Sequence, residues 1–178
     1  MNAISQLTDA LNYIPKSRKI SELIKLAEYE SNVDILKQID LLTGVWELKW
    51  STSNSPFLNY SPLLDNLQIL EPERGRGLNL LRPKGLFGKL FSTNIIASLE
   101  IIDQKRIDVS FKKAGIVGPK FLGKQISFFS EIKKTQKGWL DTTVLSPGLR
   151  ICKGYKGTTF ALLKRNDLPL NEFFNYYL

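Results

Sequence analysis

The chemistry open to this chain is limited by the reactive side chains that it lacks. The sequence contains no histidine and a single cysteine, Cys152, so it offers no Ser-His or Cys-His nucleophile pair, no histidine metal ligand and no internal disulfide. It also has no phosphate-binding glycine loop, no cysteine pair with metal-ligand spacing and no nucleophile elbow. Asp103, Asp108 and Asp141 could act as acids or bases, but each stands singly among polar positions. The sequence therefore predicts no catalytic residue, no metal site and no cofactor, and it indicates a protein that acts by non-covalent binding.

The charge of the chain favours anionic partners. The formal net charge is +8 and the pI is about 9.5, and such a surface attracts nucleic acid or an anionic membrane. No apolar run approaches the roughly 18 residues of a transmembrane helix. Residues 1–13 resemble neither a secretory signal nor the start of a long transit peptide. We therefore expect a protein that is neither secreted nor transmembrane, and that is cytoplasmic or peripheral to a membrane.

Residues 1–40 have the periodicity of helices. Ile20, Leu23, Ile24 and Ala27 recur at the spacing of one helical stripe. A shorter helix is predicted before Pro15, and another short helical segment over residues 34–39. We interpret residues 1–40 as a helical cap on the core, and a separate partner-binding role is the alternative.

From Leu41 onward the apolar period changes to two, which is typical of strands with one buried face. In residues 44–50, Trp46, Leu48 and Trp50 share one face while Glu47 and Lys49 take the other. Residues 106–112 and 125–133 alternate in the same way, and further short strands follow at regular spacing.

The sequence predicts about eight or nine sequential antiparallel strands, each with one apolar face. Closure into an up-and-down barrel buries the apolar faces and removes the exposed edges of the sheet. The fold class predicted is therefore mainly β, a lipocalin-like barrel over residues 41–166 with N-terminal capping helices and a tail over 167–178. Residues 153–157 could be either a hairpin turn or a bulge.

The interior of such a barrel is wide enough for one small ligand. The aromatic residues expected to point inward, and so to bind that ligand, are Trp46, Trp50, Phe111 and Phe128. Ile126 is expected to share their face. Arg150 joins them because an arginine inside an apolar barrel needs a partner, either an internal carboxylate or a polar ligand head group, and it is expected near the mouth; the alternative for Arg150 is an outward position in solvent. The alternative is that these aromatic residues only fill a dry core.

Three predicted connections, 52–65, 83–93 and 113–124, are long and should share one rim of the barrel, whereas the short links 71–75, 103–104 and 135–137 should form the other. The long connections mix apolar side chains with glycine, proline and lysine, a combination suited to a lipid interface. The residues predicted to contact a membrane are Lys84, Leu86, Phe87, Lys89, Phe91, Lys120, Phe121 and Leu122. The alternative is that these loops fold back as a lid over the opening.

Two segments resemble a known family. Residues 42–53 (LTGVWELKWSTS) resemble the opening segment of the plastid lipid-associated, or fibrillin (plastoglobulin), proteins, and residues 142–151 (TTVLSPGLRI) with 153–162 (KGYKGTTFAL) resemble their closing segment. Residues 78–80 and 107–111 are similar to strands between them. The chain departs from the family at Val144 and Ser146, which replace a usual Tyr and Asp, and at Lys153, which replaces an Arg.

The resemblance implies a non-catalytic lipocalin-like protein of the cyanobacterial branch, associated with thylakoid membranes or lipid bodies. The cargo it implies is a carotenoid, a quinone or another prenyl lipid. Two other hypotheses stay open: a basic barrel that binds single-stranded nucleic acid through Arg74 and Arg76, and a bilin-handling lyase that uses Cys152. The sequence ranks nucleic acid below lipid as a partner and does not fix the oligomeric state or the identity of the ligand.

Overall fold

An antiparallel sheet flanked by short helices makes up the protein. The computed structural model describes residues 2–55, 58–133 and 137–174. Its helices are α1 (Ala3–Tyr13), α2 (Ile20–Glu30), α3 (Ile39–Leu42) and α4 (Asn171–Phe174), with 3-10 helices at Pro72–Arg74 and Gly85–Lys89. Its strands are β1 (Gly44–Ser51), β2 (Leu64–Glu71), β3 (Arg76–Pro83), β4 (Ser92–Ile101), β5 (Arg106–Phe121), β6 (Lys124–Glu131), β7 (Lys137–Leu145), β8 (Leu149–Gly154) and β9 (Thr159–Lys164).

The sheet closes into a barrel. The strand order is β4-β3-β2-β1-β9-β8-β7-β5-β6, and an additional pairing between β4 and β5 joins the two ends. Eight strands therefore form the closed barrel, while β6 pairs with no described strand other than β5. The prediction of a mainly β, antiparallel barrel with N-terminal helices is confirmed. Residues 155–158 form a tight hairpin turn, closed by a hydrogen bond from Gly154 N to Thr158 O of 2.8 Å.

The predicted loop 113–124 is wrong, because β5 runs on through most of it. The first part of β5 pairs with β7, from Arg106 with Asp141 to Ser110 with Lys137. The second part pairs with β6 from Lys113 to Phe121. A side chain at position 115 would collide with the backbone of β6, so Gly115 is what allows the two strands to approach.

Because β6 and β7 follow each other along the same partner strand and run in the same direction, β7 does not return along the barrel as the predicted hairpin required. Residues 135 and 136 of the predicted short link 135–137 lie outside the described residues. The consequence is that the β7–β8 turn at 146–148 lies at the same end as the start of β1. We call this end the base; the other end, with residues 52–55, 58–63, 84–91 and 155–158, is the mouth.

The apolar core has three parts. Inside the barrel, Trp46, Leu48 and their neighbours pack together, and Val33, Ile35 and Leu42 close the base. Against the outer wall of β7–β9, the apolar faces of α1 and α2 cover Val144, Leu149 and Ile151. Against the outer wall of β1–β3, α4 places Phe173 and Phe174 on a second apolar area. In both places the covered strand residues alternate along the strand with the inward-facing ones, so their side chains point out of the barrel.

Three side chains expected inside the barrel lie outside it, and one expected in solvent is buried. A bulge between Leu48 and Trp50 reverses the alternation, so Trp50 points outward and packs beneath α1 and α2. Ile126 and Phe128 lie on β6, outside the closed barrel, and are exposed. Glu47 points outward as expected but is buried, because Lys84, Lys49 and Arg165 form ion pairs over it.

Candidate ligand cavity

The barrel encloses a cavity of about 490 Å³ that opens at the mouth. Its walls are mainly apolar, and the wall residues are Leu70, Leu78, Ala97, Leu99, Val109, Phe111, Leu140 and Phe160. Two amides, Gln68 and Asn79, supply its inner polar groups. Leu58, Lys137, Tyr155, Lys156 and Thr158 lie around the opening.

Small residues at inward-facing positions leave this space empty. Gly77 of β3 is paired directly with Ala97 of β4, so one whole cross-strand position carries almost no side-chain volume. On the other side of the barrel, Gly138 pairs with Val109 and Gly154 pairs with Leu140. All four small residues line the cavity or its edge. Larger residues at these positions would fill the interior, as in most small barrels.

Arg150 lies below the cavity floor, at the base, and not near the mouth as expected. The expectation fails because the β7–β8 turn that precedes Arg150 belongs to the base. The side chain is fully buried. Its Nη2 donates to Gln68 Oε1 and lies 3.8 Å from Cys152 Sγ. No described carboxylate forms an ion pair with Arg150, and its Nε has no hydrogen-bond partner among the described residues.

Trp46 closes the base and does not line the cavity. Its Nε1 donates to Leu42 O at 2.9 Å. The Arg150 guanidinium carbon lies 5.4 Å from the ring centroid and Lys164 Nζ lies 5.1 Å from it, distances at which a cation is attracted by the ring. Lys164 also donates to Leu41 O at 2.9 Å, and burial lowers the pKa of its ammonium. These contacts make Trp46 part of the packing that closes the base of the barrel.

Cys152 faces the interior next to Arg150 and is completely buried. Burial raises the pKa of its thiol, although attraction from Arg150 opposes the shift. A thiol in this state is a weak nucleophile, because the thiolate is the reactive form.

Of the predicted ligand-binding residues, therefore, the structure brings one to the cavity wall, Phe111. Trp46 and Arg150 lie beneath the cavity, while Trp50 and Phe128 are outside the barrel. Sequence reasoning missed the polar residues Gln68 and Asn79. It also missed the inward glycines, which show in the sequence only once the strand parity is known.

Most of the predicted membrane-contact residues whose side chains are described are exposed. Phe87, Phe91, Phe121 and Leu122 are exposed, Leu122 to 88%, and Lys120 is exposed. Lys84 is an exception, because its Nζ lies 2.9 Å from Glu47 Oε1 and it is engaged in ion pairs. The expectations for Leu86 and Lys89 fall on side chains outside those that the structure describes.

The β5–β6 hairpin carries a larger apolar area than the sequence indicated. Ile116 and Phe128 are paired across the two strands, and Ile126 follows on the same face of β6; all three are exposed, Phe128 to 76%. Together with Phe121 and Leu122 at the turn, we call these residues the hairpin surface. Lys120 and Lys124 flank the turn.

The helices in residues 2–55, 58–133 and 137–174 were also compared with the length and hydropathy of a membrane-spanning helix, and none of them has both.

Comparison with known proteins adds to this geometry. The family model PAP_fibrillin matches residues 15–163. "Probable plastid-lipid-associated protein 12, chloroplastic" of Arabidopsis thaliana is 30% identical over 182 residues, an alignment that covers 89% of this chain and 44% of that protein. The chain thus spans less than half the length of this curated relative. Among solved structures, the chain is similar to a streptavidin-like protein from Bacteroides eggerthii DSM 20697, with 14% identity, a TM-score of 0.47, and coverage of 74% of this chain and 84% of that one.

Proposed function

The chain belongs to the PAP_fibrillin family, and we propose on this basis that it is a non-catalytic carrier of an apolar ligand at photosynthetic membranes. The cargo class is an isoprenoid, a carotenoid, a quinone or another lipid. The observation that carries the proposal is the open cavity of about 490 Å³ inside the barrel. The printed name of the Arabidopsis relative, a plastid-lipid-associated protein, supports the same class of ligand.

The size and lining of the cavity support binding over simple filling of a core. Ligand pockets typically measure about 300–1,000 Å³ and are mostly apolar with a few placed polar groups, and this cavity has both properties. Each methylene group that moves from water into such a pocket contributes about 0.8 kcal/mol. An apolar chain therefore has a sufficient driving force to enter without any covalent step.

The cargo is held non-covalently in this proposal. A covalent bilin adduct would need a reactive thiol, and Cys152 is both fully buried and shifted toward its protonated form. These properties favour a carrier over a bilin-handling lyase. They fit the absence of histidine from the sequence, since there is no imidazole to move a proton.

The position of the hairpin surface supports exchange of the cargo with a membrane. The hairpin extends from the same end of the barrel as the mouth, and Phe91 lies beside it, because the next residue, Ser92, pairs with Val117. Apolar tips flanked by lysines suit the boundary between acyl chains and anionic head groups. A protein docked in this way holds the mouth close to the lipid.

A blocked-cavity variant tests the carrier proposal. Ala97→Phe places an aromatic ring in the cavity, whereas Ala114→Phe adds the same bulk to the same strand ladder on the hairpin, away from the cavity lining. Each protein would be purified from a photosynthetic host and extracted with organic solvent for mass spectrometry. We expect the wild type and Ala114→Phe to carry the same apolar compound, and Ala97→Phe to lose about nine tenths of it or more.

The same extraction can contradict the proposal. A correctly folded Ala97→Phe variant, judged by circular dichroism, that retains the full amount of the compound would show that the compound binds elsewhere. A wild-type protein that yields no apolar compound, and that binds none added in vitro, would exclude the carrier function.

A further inference from the structure

The inner end of the cavity is a polar floor made by Gln68 and Asn79, which are cross-strand partners on β2 and β3. Arg150 Nη2 donates to Gln68 Oε1 from below. This contact fixes the orientation of the carboxamide, because its oxygen must face the guanidinium. The amide nitrogen of Gln68, which shares the same carbon, is then directed away from Arg150. A terminal amide can otherwise rotate by half a turn, so Arg150 determines which of its two ends is available to a ligand.

The floor consequently offers donors. No described residue accepts a hydrogen bond from Gln68 Nε2, and Asn79 lines the cavity beside it. Arg150 itself keeps an unpartnered Nε, although it is 1% exposed. A fully buried donor without an acceptor, such as Arg150 Nε, is rare in folded proteins, and it marks a place where a ligand or a water completes the hydrogen bonding.

The charge near the polar floor is positive, because Arg150 lies just below it. None of the described residues that line the cavity is acidic, and Arg150 forms no ion pair with a described carboxylate. A buried cation without a counter-charge is costly. An anionic group at the floor would accept from Gln68 Nε2 and would lower this cost through attraction by Arg150 just below.

We propose that the polar floor is a subsite for a carboxylate head group, so that the cargo is a long-chain carboxylic acid held with its head at Gln68 and Asn79 and its chain toward the mouth. This inference rests on the proposed carrier function. Gln68 and Asn79 touch the ligand, while Arg150 is a positioning residue that acts through Gln68. The apolar wall from Leu70 to Phe111 takes the chain.

The test compares three probes of equal chain length: laurate, methyl laurate and dodecane. Affinity for each is measured by competition against a bound fluorescent lipid in the full chain. A hydrogen bond to a charged group is worth about 1.5–3 kcal/mol, so laurate should bind about tenfold or more tighter than either neutral probe. Gln68→Glu gives Arg150 a built-in carboxylate partner and removes the donor. It should lower laurate affinity about tenfold or more while dodecane affinity stays within about threefold.

Two further variants place the head group. Gln104→Glu makes the same charge change on an exposed turn at the base and should leave laurate binding unchanged. Lys137→Gln with Lys156→Gln removes the cations at the mouth and should change laurate affinity less than Gln68→Glu does. A larger loss from the mouth pair than from Gln68→Glu would overturn the subsite, because the head would then lie at the opening.

Failure of the inference and failure of the carrier function give different results. Equal binding of all three probes, unaffected by Gln68→Glu, would overturn the carboxylate subsite and leave the carrier function standing. Methyl laurate that binds as tightly as laurate would also overturn it, because no charge would be recognised. Binding of none of the three, in a protein that is folded by circular dichroism, would remove both proposals.

Discussion

Arg150 illustrates how a single residue can work against the stability of the apo protein. It is fully buried, it stacks near Trp46, and no described carboxylate forms an ion pair with it. Removing a cation from water without a compensating charge is expensive, and apolar replacement of such groups is often neutral or stabilising. The presence of an arginine under these conditions is better explained by an effect on a bound ligand than by an effect on the stability of the fold.

We therefore expect Arg150→Met to unfold at the same temperature as the wild type or at a higher one, with a change of no more than about 1 kcal/mol in the unfavourable direction. Arg106→Met is the matched control, because Arg106 also stacks on a tryptophan but has a bidentate partner in Asp141, at 2.7 and 2.8 Å. The control should lose more stability than Arg150→Met. Thermal unfolding without ligand measures both variants. A loss above about 3 kcal/mol in Arg150→Met would instead mean that the arginine is a structural clamp.

Only some of the residue-level predictions could come from the sequence. Alternation correctly places Trp46, Leu48, Ile107 and Val109 in one interior, because a period of two requires no knowledge of partners. The direction of the Trp50 side chain could not be predicted, since the sequence pattern contains no signal for the β-bulge between Leu48 and Trp50. The inward direction of Gln68 could not be predicted either, because the sequence does not show which way a strand glutamine points until the pairing of its strand is known.

At the scale of elements, the outer face of β1 is where the C-terminal segment is attached to the barrel. Glu47 accepts from Lys84 and forms ion pairs with Lys49 and Arg165, at 2.9–3.2 Å. Arg165 also binds Asp167 at 2.7 Å. These contacts join β1 to the residues that follow β9, and α4 then covers the apolar wall of β1–β3. The sequence indicated a tail here; it could not indicate the attachment, which depends on partners far apart in the chain.

This attachment should weaken in acid. Burial alone would raise the pKa of Glu47, but the hydrogen bond from Lys84 and the charge of Lys49 outweigh it, so that the pKa is lowered. The hydrogen bond from Arg165 lowers the pKa of Asp167 to about 2. A carboxyl group with a lowered pKa in the folded state stabilises that state at pH values above its ordinary pKa. This stabilisation is lost as the pH falls through the lowered value.

The expected result is that the free energy of unfolding, measured in urea, falls between about pH 5 and pH 2. Glu47→Gln should lose about 1–3 kcal/mol at neutral pH, because the partly buried Lys49, Lys84 and Arg165 lose the carboxylate that they share, and it should show a shallower fall in acid. Protection of the α4 amides from hydrogen exchange should decrease in parallel. Identical acid profiles for wild type and Glu47→Gln would show that Glu47 does not hold this segment.

For the whole molecule, the mouth and the hairpin surface lie at the same end, so a membrane can meet both at once. Exposed apolar patches that are rimmed by polar residues commonly mark interaction sites. Lysines near an anionic surface contribute about 1 kcal/mol each and are screened by salt, whereas inserted apolar side chains act independently of salt. The two contributions can therefore be separated by ionic strength.

We expect the protein to float with anionic vesicles at low salt and to float partially at high salt. Phe121→Asp with Phe128→Asp should abolish the binding that remains at high salt, because it removes the two aromatic rings of the hairpin surface. The control pair Tyr29→Asp with Leu36→Asp changes exposed apolar residues on the helical side of the molecule and should float like the wild type. If the hairpin variant and the control behaved alike in both salts, the membrane would have to meet another face.

The free edge of β6 limits how deep such a contact can go. Among the described strands β6 pairs with β5 alone, so peptide N–H and C=O groups along its outer side need water or a polar head group as partners. In the hydrocarbon interior each unpartnered group would cost several kcal/mol, which excludes open sheet edges from that depth. The phenylalanines can enter the head-group layer, but the peptide backbone cannot follow them further. In the proposed membrane contact, the edge of β6 would therefore limit insertion to the head-group layer and keep the barrel at the lipid surface, from which it could be released.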